Sequence, residues 1–246
     1  MRWGPLAVGL GAYLIGLVAT APATLVDAGL QRASDGKLRL AEAQGTLWSG
    51  AGQIEIRAAD GRIGIAKSIA WRFLPLTLLH GHLLCELELD NATKRFPVTI
   101  SLSGVELAGA DMGLPATALG LAVPKLAPLG LSGEVLLHIE QLSAGRRGVS
   151  GAATLQWRAA GSALTSVAPL GDYELRLKSD GMATYAALGT LQGPIQLDGK
   201  GSWESGVLPS FLATARIPRQ HRQNLSPLLR LIAVERGEGD FELQLK

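Results

Sequence analysis

Hydrophobic and polar positions divide this chain into one long apolar run followed by many short alternating segments. Gly4 to Val26 carries no charge, and Asp27 ends the run. As a helix rising about 1.5 Å per residue, the run would span roughly 34 Å, more than a hydrocarbon core of about 30 Å. It predicts a transmembrane signal anchor over 4–26, with residues 1–3 as a cytoplasmic tip held inside by Arg2 and the amino terminus. The alternative is a cleaved signal peptide, because Ala19-Thr20-Ala21 and Ala21-Pro22-Ala23 have the small-residue spacing of cleavage sites. The length of the run favours an uncleaved anchor. Residues 27–44 read as a linker, with Gln31 to Ala43 open between linker and short helix.

From Gly45 the period becomes two. Gly45-Thr46-Leu47-Trp48-Ser49-Gly50 opens the β region as its first turn and strand edge, with Trp48 expected to pack onto the sheet. Strands are predicted at Gln53–Arg57 and Ile63–Phe73, joined by a tight turn at Asp60-Gly61. The clearest strand sets Leu83, Cys85, Leu87 and Leu89 against Glu86, Glu88 and Asp90. Alternation returns around Val98–Leu102, Val105–Ala108, Glu134–Glu140, Val149–Trp157, Tyr173–Lys178, Met182–Leu191, Ile195–Trp203, Phe211–Ile217 and Phe241–Lys246. Such one-sided strands predict an antiparallel sheet with a dry and a wet face. The dry face then requires a cover: a second sheet, barrel closure, or curvature of the sheet onto itself.

Residues 111–128, rich in Gly, Ala, Leu and Pro without clean periodicity, predict a boundary between two β modules within 45–246. Trp71-Arg72 before Pro75-Leu76 and Gly81 has a weak echo in Trp157-Arg158 before Pro169-Leu170 and Gly171. One short amphipathic helix is expected near the end. Ser226 would be its N-cap and Pro227 its first residue, Leu225, Leu228, Leu229 and Ile232 its apolar stripe, and Gly237 its stop. The fold class is therefore mainly β, an antiparallel, curved or sandwich-like sheet framed by an N-terminal transmembrane helix and a C-terminal amphipathic one.

Composition agrees with an apolar, many-turned β protein. Hydrophobic residues make up 47% and charged residues 18%, and Gly (31) and Pro (12) punctuate the apolar runs. A net charge of +2 gives no field that would favour nucleic acid. The single cysteine, Cys85, excludes an intrachain disulfide and any cysteine-based zinc site; on the apolar face of its strand it reads as a small buried hydrophobe.

Candidate chemistry is sparse. His80 and His82 share one side of a strand start with no evident third metal ligand. His138 falls on a polar strand face and His221 in a basic segment, and both read as solvated. Gly193 to Lys200 resembles a phosphate loop only in composition, since Gly201 stands where Ser or Thr is required. No G-x-S-x-G occurs. No catalytic residue, cofactor or metal is assigned. Trp48 is the candidate aromatic contact. Arg216, Arg219, Arg222 and Arg230 are candidate contacts to lipid headgroups or an acidic partner, with Arg236 nearby and only Glu235 opposing them locally.

Taken in order, these motifs resemble the type II secretion system protein N family. The resemblance rests on Ala21 to Val26 closing the apolar run, Gly45 to Gly52, Trp71-Arg72 with Pro75-Leu76 and Gly81, Gly189-Thr190-Leu191-Gln192-Gly193, Leu197-Asp198-Gly199-Lys200-Gly201, and the leucines of Leu225 to Ile232. It implies a single-pass inner-membrane protein with a periplasmic domain, accessory to the machine that exports folded proteins. Its partners would be other inner-membrane or secretin-associated components of that machine. The resemblance carries over no catalytic residue or cofactor. The competing expectation is an AsmA-like periplasmic protein that holds acyl chains on the dry face of its sheet.

Overall fold

The computed structural model describes residues 4–57, 63–90, 95–146, 148–204, 210–231, 233–237 and 239–245. The expected tip at residues 1–3, the turn at Asp60-Gly61 and Ile232 of the helical stripe lie outside them. The chain forms two compact units, Met1–Leu102 and Ser103–Lys246. The segment 111–128 lies within the second. Both are built of antiparallel strands, fourteen among the described residues.

In the first unit the apolar run does not make one helix. The first helix, α1, spans Gly4–Ala19, and the Thr20 hydroxyl donates to the Gly16 carbonyl at 2.8 Å as it ends. Pro22 accounts for the break, because it has no N–H to give a helix and disfavours helical backbone at the residue before it. It sits instead in an isolated antiparallel bridge with Thr46. A second helix, α2, follows at Thr24–Ala33. The expected transmembrane helix over 4–26 is thus corrected: 16 residues cover about 24 Å, and among the described residues no helix is long and apolar enough to cross a membrane.

Five strands follow: β1 Leu38–Gly45, β2 Ser49–Arg57, β3 Ile63–Leu74, β4 His82–Leu89 and β5 Phe96–Ser101, paired in sequence order. The stretch expected to be linker therefore carries most of α2 and all of β1 but its last residue, Gly45. Asp27 locks the two together, its carboxylate accepting from the Leu40 backbone N–H at 2.8 Å and from Gln31 Nε2 at 2.7 Å. Register puts Trp71 opposite Leu87, Phe73 opposite Cys85 and Cys85 opposite Val98, so the predicted dry face is real. Its core is Ala23, Leu40, Trp71 and Cys85, closed by Val26 and Leu30 of α2. The opposite face is wet, with Arg95 bridging Glu86 and Glu88.

The second unit holds β6 Gly104–Pro115, β7 Leu131–Gly145, β8 Gly148–Ser162, β9 Gly171–Asp180, β10 Ala183–Gln192, β11 Gln196–Glu204, β12 Ser210–Arg216, β13 Val234–Gly237 and β14 Asp240–Leu245. They pair in order except at the end, where β14 lies between β12 and β13. One dry row runs Leu114, Val135, Trp157, Tyr173 across β6 to β9, and the Trp157 and Tyr173 rings meet at 5.9 Å. The cover is helical. A short helix α3 (Thr117–Ala122), a 3-10 turn (Pro124–Leu129) and α4 (Arg222–Leu229) close over the row, and Leu129, Leu225, Leu228 and Leu229 join Val135, Tyr173, Ala215 and Phe241 in the core. The predicted helix thus forms, but it begins at Arg222 and carries Pro227 inside it. Burial of Leu225 and the two leucines of the next turn outweighs the backbone hydrogen bond that Pro227 forgoes.

Candidate functional site

The turn from Gly45 to Gly50 joins β1 to β2 and collects four segments of the first unit. Gly45 has φ +92°, and a Cβ there would lie 2.5 Å from the Ser49 carbonyl, so only glycine closes the turn. A Cβ on Gly50 would come within 2.5 Å of the Trp71 ring. Trp71 fills that gap. It is 5% exposed, and its indole N–H donates to the Leu47 carbonyl at 3.0 Å. The Leu47 N–H donates to Ala21 at 2.7 Å, the Ala23 N–H to Gly45 at 3.3 Å, and the Phe73 N–H to Trp48 at 2.7 Å.

Trp48 does something else. Half-buried, it sends its indole N–H back to the Val18 carbonyl at 2.8 Å. Val18 lies in the last turn of α1, where carbonyls lack intrahelical donors. The tryptophan that packs onto the sheet at this turn is therefore Trp71, while Trp48 ties the sheet to the end of the apolar helix. On the same edge, between β3 and β4, a 3-10 turn at Pro75–His80 leaves Leu76, Leu78 and Leu79 exposed. Its mark in the sequence is three leucines close behind Pro75 with no alternating period to place them.

The basic segment is better compensated than its sequence implies. Arg216 pairs with Asp240 at 3.0 Å, Arg230 with Glu235 at 2.7 Å and Arg236 with Glu242 at 3.0 Å. The hairpin of β13 and β14 supplies all three carboxylates, two of them beyond the reach of local sequence counting. Arg222 is half-buried, its guanidinium 3.2 Å from where a Cβ on Gly239 would stand. Arg219 is exposed on the 3-10 turn that leads into α4. The four candidate arginines are thus spread over β12, this turn and both ends of α4 and do not converge on one ligand.

Among the described residues the histidines and acids do not gather into a catalytic or metal-holding cluster. The His80 and His82 rings lie 6.2 Å apart, and among the described residues no group of three or more His, Cys, Asp or Glu is placed to hold a metal ion. His138 Nδ1 meets Asp111 Oδ1 at 2.5 Å on the outward face of β6 and β7, beside a shallow hollow of about 470 Å³ lined also by Thr154 and Gln156. Burial pushes the Cys85 thiol up to about 11, against the lowering effect of a backbone hydrogen bond from Arg72, so the thiol stays protonated and inert.

What the described residues offer is sheet faces, a helix joint and matched surface charge. Residues 36–244 match the family described as type II secretion system (T2SS), protein N. The chain belongs to the type II secretion system protein N family. Protein N membership makes it a component of the type II secretion system, a protein-transport machine. The match takes in β1, the Gly45–Gly50 turn and nearly all of the strands of both units, and begins after α1 and α2. Among curated proteins and among solved structures nothing matches. The AsmA-like alternative finds no support.

Proposed function

We propose that this protein N is an accessory inner-membrane component of the type II secretion system. In this reading α1 holds the chain at the membrane, the two β units stand in the periplasm, and the protein works through contacts with other inner-membrane or secretin-associated components. The family match over residues 36–244 carries the proposal. The apolar helix supports the placement: Leu10, Tyr13, Leu17 and Val18 are all exposed on α1, a surface suited to lipid. The joint at Trp48 supports a mechanical role, since it couples that helix directly to the first sheet edge. Arg219, exposed and carrying no ion pair among the described residues, is the arginine best placed to meet an acidic partner, with Arg216, Arg222 and Arg230 around it.

The test is capture from detergent-solubilised membranes of cells that are actively secreting. A tagged full chain is expected to bring down other type II secretion components. Their absence, where a tagged pseudopilin or secretion ATPase from the same cells retains them, would overturn the proposal.

A further inference from the structure

The edge of the first sheet that receives α1 also carries the most exposed leucines of that unit. Strand directions place the β1–β2 turn, the 3-10 turn after β3 and the end of β5 together. Ser49 pairs with Arg72 near the end of β3, and His82 at the start of β4 pairs with Ser101 at the end of β5. Leu76 is 77% exposed, Leu79 85% and Leu102, next after β5, 99%. The turn that presents Leu76 to Leu79 is built to hold its shape. The Thr77 hydroxyl donates to the Leu74 carbonyl at 2.7 Å and accepts from the Leu84 N–H at 3.0 Å, and Gly81 closes the turn in the left-handed region. With Thr77 tied inward, the leucines on either side of it stand in solvent.

We infer that this edge is a second membrane contact, in which Leu76, Leu79 and Leu102 insert into the boundary between headgroups and acyl chains beside α1. The occupant follows from the joint. Val18 at the end of α1 is bonded to Trp48, and Trp48 is bonded through its carbonyl to Phe73, two residues before Pro75. Whatever phase accepts the uncharged α1 therefore lies against this edge. Exposed leucines beside an indole, here that of Trp48, have the chemistry of the bilayer interface. Such a contact would fix the tilt of the first sheet over the membrane, which one helix alone leaves free to swivel.

The inference rests on the proposal that α1 sits in the membrane, and the test separates the two. In a Cys85→Ala background, the full chain is labelled with an environment-sensitive fluorophore at Leu10→Cys, Leu79→Cys, Leu102→Cys or, as a control on the wet face, Ser68→Cys. It is then reconstituted into phosphatidylethanolamine and phosphatidylglycerol vesicles containing lipids spin-labelled near the headgroup. Labels at 79 and 102 are expected to be quenched several-fold more than the label at 68, with blue-shifted emission. Quenching at 10 but only control-level quenching at 79 and 102 would overturn this contact and leave the anchor standing. Control-level quenching at all three would overturn both. A blue shift at 79 without lipid quenching would mean that a protein covers the edge, and would also overturn it.

Discussion

At the scale of single residues, two tryptophans near one turn have different work. Trp71 is buried under α2 with its N–H satisfied by Leu47, so Trp71→Ala should cost about 3–5 kcal/mol, the usual penalty for emptying a buried aromatic site. Trp48→Phe keeps a ring but loses the bond to Val18, worth about 1 kcal/mol. Urea unfolding of both variants in the same detergent checks the order, and equal losses would contradict it. Cys85 adds a pH dependence. Its thiol ionises near 9.0 when unfolded and only near 11 when folded. The folded state therefore keeps its proton while the unfolded state loses it, and stability present below pH 9 drains away as pH rises toward 11. Burial pushes the Tyr173 hydroxyl in the same direction. A Cys85→Ala variant should lose melting temperature less steeply over that window than the native chain, and parallel slopes would show that the thiol contributes nothing.

Among elements, β4 was legible because its alternation is complete, with apolar side chains facing α2 and acids facing Arg95. β1 was not. Only Leu38 and Leu40 mark its dry side, and a register shift between Ala41 and Gln44, with Glu42 at positive φ, interrupts the period. The early end of α1 was written in Pro22, which an apolar count ignores and helix stereochemistry does not. For α4 the leucine stripe was visible, while its true start at Arg222 was hidden because no capping side chain marks it. The joint of the candidate site was half legible: its glycines and Trp48 stood out, but the partner of Trp48 is a backbone carbonyl, which no sequence pattern reveals. The Trp71–Trp157 echo persists in one respect, since the Trp157 N–H also donates to an earlier carbonyl, that of Ser132 at 3.0 Å. The C-terminal elements also separate packing from charge. Leu225→Ala, at a fully buried position, should cost about 2–5 kcal/mol. Arg230→Ala breaks an exposed pair and should cost about 0–1 kcal/mol. Chemical denaturation of the two variants measures both, and a larger loss from the arginine would mean that the basic segment stabilises the fold through more than surface pairing.

At the scale of the whole molecule, the decisive question is which side of the membrane the sheets occupy. In the proposed reading, the value of the two units to a secretion machine lies in where they stand and what they touch. If α1 and the leucine edge both meet the inner membrane from its outer side, everything from β1 onward is open to the periplasm. Protease added to intact cells should then leave the chain whole, and the same protease added once the outer membrane is opened should degrade it from the exposed turns, with a cytoplasmic marker untouched. Full protection after opening would put the sheets in the cytoplasm, where a contact with periplasmic or secretin-associated components is physically barred. The same digestion repeated with Leu79→Asp bears on the edge itself. A charge placed there should weaken its hold on the bilayer, free the first sheet to swivel about the Trp48 joint, and speed cleavage around the leucine turn without moving the chain across the membrane.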